Sequence, residues 1–258
     1  MLLTLPTLSY WAYPLLFVAG GVAGLVDAMA GGGGLITVPV LLNLGLPAPL
    51  ALGTNKLQAS FGSVSAAMHY AQGRVVDLRE CGLGIVCTAV GALAGSGCVQ
   101  LLDAQALGKL IPWLLAAIVI YMVVRPKVGQ HERPARMERR AFFVLFGLGL
   151  GFYDGFFGPG TGSFWTIALI LLLGQDFLRA TGYTKVMNAT SNLTALAFFA
   201  LNGQLVLDAG LTMAAGQFLG ARIGAKLVMQ RGSRFVQPVF FTMVVLVIAR
   251  LLWVNYLR

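Results

Sequence analysis

Residues 27–39 read DAMAGGGGLITVP. An aspartate follows a long apolar run, four glycines come next, and a second apolar run begins at once. Glycine inside a helix costs about 1 kcal/mol relative to alanine, so Gly31, Gly32, Gly33 and Gly34 predict a helix stop. The greasy sequence on both sides leaves no room for an ordinary water-exposed loop. A helix that breaks beside a charge in apolar surroundings is the feature from which the rest of the chain can be read.

The surroundings are those of a membrane protein. Of 258 residues, 58% are hydrophobic and 10% charged, against about 25% charged in soluble domains. The runs 110–124, 141–152 and 238–253 are almost uninterrupted, and a bilayer core needs about 20 apolar residues per helix. Solid runs rather than alternation exclude a β-barrel and define an all-α polytopic membrane protein. Residues 1–21 contain no Lys or Arg. They lack the basic start of a cleaved signal peptide and read as a first helix with an aromatic cuff at Tyr10, Trp11 and Tyr13. Cys81, Cys87 and Cys98 show neither CxxC nor Cys/His spacing, so no disulfide framework and no metal site is expected. The net charge of +9 fits basic cytoplasmic loops better than nucleic-acid binding.

The break has a counterpart. Asp154 follows Asp27 by 127 residues, in the stretch 154-DGFFGPGTGSFWT-166, where Gly158, Gly160 and Gly162 supply the breaks. Lys185 in 182-GYTK-185 follows Lys56 in 53-GTNK-56 by 129, and Asp208 follows Asp77 by 131. A slowly drifting offset is what duplication with single insertions leaves, and internal duplication is common in secondary transporters. The expected organisation is an N-terminal repeat (1–124), a cytoplasmic linker (125–140) and a C-terminal repeat (141–258). Each repeat holds a helix (about 13–30; about 140–156), a ten-residue segment too short to span (35–44; 164–173), and three long segments. These lie near 50–72, 79–101 and 104–124, then near 177–202, 206–230 and 233–256.

Charge sets the orientation. If helix and short segment form a re-entrant hairpin, each repeat crosses an odd number of times, and the repeats are inverted relative to each other. Twelve of the eighteen basic residues then fall on the linker's side, six of them in the linker itself. Only Lys109 and Arg258 fall outside, whereas a single span in place of the hairpin would turn Arg231 and Arg234 outward.

A charge at the bilayer centre costs at least about 2.5 kcal/mol, so intramembrane charges face cavities and act there. Lys56 and Lys185 suit a small oxyanion as compact three-donor charges; alternatively each pairs with the aspartate of its own repeat. Thr54, Asn55 and Ser60 near Lys56, and Asn188, Ser191 and Asn192 near Lys185, form polar stripes that fit a wet cavity or polar helix packing equally. Asp27 and Asp154 could cap the broken helices or carry a coupling proton. Arg222 has no equivalent in the first repeat, where Leu93 stands, so it could orient a substrate in an otherwise symmetric site, or snorkel with Lys226. Gly216, Gly220, Ala221, Gly224 and Ala225 read as close helix packing. The stretch 158-GPGTGS-163 lacks the GK[ST] and the strand of a nucleotide loop. HExxH and GxSxG are absent as well, so neither an enzyme nor a cofactor is expected.

Taken together, 24-GLVDAMAGGGGLITVPVLL-42, 51-ALGTNKLQAS-60, 149-GLGFYDGFFGPGTGSF-164, 179-RATGYTKVMNATSN-192 and 216-GQFLGAR-222 resemble the TauE/SafE family, over almost the entire chain and with its YfcA-like branch most similar. The family is also called the toluene sulfonate uptake permease family. The resemblance implies a multi-pass permease of the bacterial inner membrane for sulfite or organosulfonates. With no ATP-binding element in the sequence, the expectation is a proton-coupled secondary transporter that works by alternating access. A passive anion channel or lipid-headgroup translocator is the alternative. Expected partners are a small anion, the bilayer and a second copy in a homodimer, with no nucleic acid.

Overall fold

The computed structural model describes residues 8–103 and 133–231, with the isolated positions 106 and 113. Among them are eight α-helices, one short 3-10 segment and no strand. In chain order these are α1 (Ala12–Ala30), α2 (Gly34–Asn43), α3 (Ala48–Gln72), the 3-10 turn Leu78–Cys81, α4 (Gly82–Val99), α5 (Arg139–Phe156), α6 (Thr161–Leu173), α7 (Phe177–Leu201) and α8 (Leu207–Arg231). The third long segment of each repeat apart from positions 106 and 113, residues 125–132 of the linker, Lys109, Arg250 and Arg258 lie outside the described residues.

Local chemistry sets the boundaries. Gly31 ends α1 at φ +72°, a left-handed conformation that costs other residues and is free to glycine. Asp176 opens α7, its carboxylate accepting from the N–H groups of Leu178 (2.8 Å) and Arg179 (3.0 Å), as an N-cap does. The ten-residue α2 matches the sequence expectation. The thirteen-residue α6 starts three residues earlier than expected, because Gly160 at φ +84° lets the helix begin at Thr161.

Each short helix folds back along the helix before it. Leu16 at the start of α1 shares a cluster with Val40 and Leu41 at the end of α2. In the second repeat, Phe142 and Phe143 at the start of α5 cluster with Leu169 and Ile170 late in α6. The N–H groups of Arg136 and Met137 also donate to the Leu172 carbonyl (2.8 and 3.2 Å). Both α1–α2 and α5–α6 are therefore helical hairpins whose tips are the glycine breaks.

Packing crosses the repeats. The most extensive helix pairs are α1 with α8 and α4 with α5. Glycines bring their backbones into contact: a Cβ on Gly216 would stand 2.0 Å from the Phe17 carbonyl oxygen, and one on Gly95 would stand 2.0 Å from that of Phe152. Small residues serve the same end in membrane helix pairs generally. The result is two interlocked bundles. The first holds α1, α2 and α3 with α8 borrowed from the second repeat; the other holds α5, α6 and α7 with α4 borrowed from the first.

The distribution of side chains is that of a protein in lipid. Leu15, Val18, Val86, Val90, Leu145 and Leu219 are exposed, while Lys56, Lys185, Asn55, Gln58 and Asn188 are buried. A water-soluble fold does the reverse. The stretches Ala12–Met29 and Leu78–Val99 are each long and apolar enough to cross a membrane.

Candidate functional site

The two hairpin tips meet inside the molecule. A Cβ on Gly31 would stand 2.4 Å from the Gly162 carbonyl carbon, and one on Gly162 would stand 2.6 Å from Gly31 Cα. Ser163 Oγ donates to the Gly31 carbonyl at 2.5 Å. Each tip is braced by the same hydrogen bonds, offset by 129 residues. Thr37 Oγ1 donates to the Gly33 carbonyl (3.1 Å) and to Asn55 Oδ1 (2.6 Å). Thr166 Oγ1 donates to the Gly162 carbonyl (2.9 Å) and lies 3.0 Å from Thr184 Oγ1.

The ion pairs are exchanged between the repeats. Lys56 Nζ donates to Asp154 Oδ1 at 2.7 Å and to the Asp154 carbonyl at 2.5 Å, with Asn192 Oδ1 at 3.3 Å. Lys185 Nζ donates to Asp27 Oδ2 at 3.0 Å. Pairing within each repeat, one of the two sequence expectations, does not occur. The physical reason is the exchange of helices described above: each lysine helix, α3 or α7, faces the broken hairpin of the opposite bundle. Gly158, at φ +99°, makes room for the first pair, since a Cβ there would lie 2.6 Å from Lys56 Nζ and 2.8 Å from Asp154 Oδ1.

The two pairs are not equal. Asp154 also accepts from Ser191 Oγ, and its side chain is 4% exposed. The Asp27 side chain is 16% exposed, and beyond Lys185 it has only a long contact from Gly33 N at 3.4 Å. Leaving a buried charge unpaired costs about 3–5 kcal/mol, so both pairs hold the bundles together, and Asp27 is the one with spare capacity.

Between the tips lies a cavity of about 30 Å³. A water needs roughly 10–15 Å³ measured this way, so about two water-sized groups fit. Its polar lining includes Asp27, Asn55, Asp154, Asn188, Asn192 and Gln217. The breaks enter through Gly31, Gly33 and Gly34 on one side and Gly158, Gly160 and Gly162 on the other. The starts of α2 and α6 thus face one space; the N–H groups of Leu35, Ile36, Thr161 and Ser163 there close tight turns on the Gly32, Gly33, Gly158 and Gly160 carbonyls (2.9–3.1 Å), so what the helix starts offer an anion is chiefly their positive dipole ends.

The other expected residues stand behind the lining. Lys56 and Lys185 are screened by their carboxylates; Ser191 holds Asp154, and Ser60 Oγ donates to the Lys56 carbonyl at 2.7 Å. Thr54 Oγ1 accepts from Val206 N at 3.0 Å and so fixes the start of α8. Gly32 lies in the break without lining the cavity, and Arg222 is exposed. Thr161 and Gln217 line the cavity and were not anticipated. Gln217 sits in the stretch 216-GQFLGAR-222, whose small residues signal helix packing; the one amide among them was the available clue.

A fold of exchanged bundles around two glycine-broken hairpins, in a chain with exposed apolar helix faces, is that of a polytopic membrane protein. The family model described as "Sulfite exporter TauE/SafE" matches residues 16–251, and the chain belongs to that family of membrane transporters. It is 42% identical to a "Probable membrane transporter protein" of Haemophilus influenzae, covering 93% of this chain and 94% of the relative. It is 40% identical to the "Probable membrane transporter protein YfcA" of Escherichia coli K12, covering 93% and 89%. It is 38% identical to "Probable membrane transporter protein ORF9" of a Sinorhizobium species, covering 95% and 94%. No solved structure matches the chain.

Proposed function

We propose that the protein is a proton-coupled secondary transporter of the bacterial inner membrane that carries small sulfur oxyanions, with sulfite the best-fitting size. The observation that carries this reading is the convergence of two helix starts and two exchanged Asp–Lys pairs on one small cavity. Helix N-termini attract anions, and in transporters built from inverted repeats they point at the anionic part of the substrate. In this reading the two repeats are inverted relative to each other, and the meeting of the two glycine breaks at Gly31 and Gly162 supports it. A cavity of about 30 Å³ suits an inorganic oxyanion, while a bulky organosulfonate would require a more open state.

Coupling follows from competition for one lysine. In the structure Lys185 is held by Asp27. A proton on Asp27 removes that carboxylate's charge and frees the ammonium for the anion, so proton and anion load together. Loss of the proton restores the Asp27–Lys185 pair and expels the anion. Asp27, with the fewer partners, is the coupling group, and Asp154 is the structural member. The bodies that rock are the two exchanged bundles rather than the sequence repeats, because contacts such as Gly216 with Phe17 lock α8 onto α1.

Purified protein should be stabilised against heat by sulfite and more weakly by bulky sulfonates. Equal insensitivity to every sulfur oxyanion would remove the substrate assignment. A passive anion channel is the second reading, favoured by the facing helix starts alone; it predicts flux that ignores an imposed proton gradient.

A further inference from the structure

Gln217 is the one cavity-lining polar side chain contributed by α8, and it breaks the symmetry of the site. At the offset of 129 residues its equivalent is Thr88, whose hydroxyl is turned to Met187 Sδ (3.5 Å) and lines no part of the cavity. Gln217 is 1% exposed. It lies in a notch left by Gly62, where a Cβ would stand 2.4 Å from its Cγ. Its Oε1 has no hydrogen-bond partner. Across the cavity, in the other bundle, Asn188 Oδ1 is also buried without a partner.

A buried acceptor left unmade costs about 1–3 kcal/mol. Two of them on residues that line one cavity from two bundles form an arrangement that a ligand with a donor would complete. The other side-chain acceptors of the lining already have partners: Asp154 accepts from Lys56 and Ser191, Asp27 from Lys185, Asn55 Oδ1 from Thr37 and Gln58, and Asn192 Oδ1 from Lys56. A site built to bond a ligand's O–H or N–H rejects analogues that lack it far better than a site that merely fits the shape.

We infer that Gln217, together with Asn188, is a specificity-determining residue that selects an oxyanion bearing a hydrogen-bond donor, such as hydrogensulfite, over a fully ionised one such as sulfate. This rests on the functional reading above. The ligand's O–H donates to the Gln217 amide oxygen, its charged oxygens face the helix starts, and the bond to Asn188 ties the bundles in the loaded state.

The test uses full-length protein in proteoliposomes, with radiolabelled sulfite uptake and unlabelled sulfate as competitor, for wild type, Gln217→Met and Gln217→Asn. The expected result is a KM for sulfite raised at least tenfold in both variants and a sulfite-over-sulfate preference reduced at least tenfold. Thermal stability should be unchanged or higher in Gln217→Met, because an unsatisfied amide has been removed; a purely structural glutamine would leave the variant less stable with its preference intact. If only one variant folds, it carries the measurement alone. Wild-type uptake of sulfite with unaltered KM and preference in the variants overturns the role of Gln217 and leaves the transport reading standing. No sulfite uptake by wild type overturns both.

Discussion

Lys56 on α3 and Asp154 on α5, 98 residues apart in the chain, are joined by a 2.7 Å ion pair buried between the two bundles. Lys185 and Asp27 repeat the relation in the opposite sense at 3.0 Å. Each bond links a lysine of one repeat to a broken helix of the other, so the pairs bridge the two bundles.

The exchange is measurable as coupling. Lys56→Met alone should cost about 3–5 kcal/mol, because it strands the Asp154 charge. Adding Asp154→Leu should recover most of that loss, since an apolar pair can replace a buried ion pair with little cost. A double-mutant cycle in detergent, read by thermal unfolding, should give strong coupling for Lys56 with Asp154 and for Lys185 with Asp27. Strong coupling of Lys56 with Asp27 instead would contradict the exchanged pairing.

The crossing of the tips predicts a steep contrast among glycines. Gly31→Ala combines a disfavoured φ of +72° with a contact of 2.4 Å to the Gly162 backbone. It should destabilise by about 2–5 kcal/mol, the sum of ordinary backbone strain and overpacking. Gly149→Ala, where an added Cβ meets nothing within 4 Å, should be neutral or stabilising by up to about 1 kcal/mol through helix propensity. Similar losses of folded yield at both positions would argue against the contact.

The inequality of the aspartates separates coupling from structure. Asp27→Asn mimics the protonated state and should keep downhill anion exchange while losing accumulation driven by a pH gradient. Asp154→Asn should lose stability first, because Lys56 is left with a neutral partner and the Ser191 contact is weakened. Exchange and accumulation measured side by side in liposomes distinguish the two; retained pH-driven accumulation in Asp27→Asn would exclude it as the coupling group.

Orientation can be read with thiol labels. The end of α3 clusters with the start of α7, and the end of α7 clusters with the start of α3. In a background with Cys81, Cys87 and Cys98 replaced, Arg79→Cys should react with an impermeant reagent only from the cytoplasmic side, and Asn202→Cys only from the outer side. Labelling of both from one side would contradict inverted repeats.

Much of this architecture is legible in the sequence, for identifiable reasons. Glycines stop helices by a local mechanism, so 27-DAMAGGGGLITVP-39 announces the end of α1 and the start of α2 to within a residue. The 129-residue recurrence of GTNK as GYTK likewise marks α3 and α7 as equivalents. Which lysine meets which aspartate was not legible, because the repeat pattern is the same whether helices are exchanged or not. That choice is made by close packing of α1 on α8 and α4 on α5, a tertiary fact. The asymmetric element was sought in the charge of Arg222, whereas the structure turns Gln217 inward. Five residues apart on a helix means about 140° of rotation at about 100° per residue, so an inward Gln217 carries Arg222 away from the cavity.

The most direct test of the central claim is uptake of radiolabelled sulfite into proteoliposomes under an imposed pH gradient, with wild-type protein and Lys185→Gln. Wild type should accumulate sulfite above its external concentration, with accumulation abolished by a protonophore and absent in Lys185→Gln. Flux through the wild type that equilibrates sulfite without accumulation, unchanged by the gradient, would contradict proton-coupled transport and leave a passive pathway in its place.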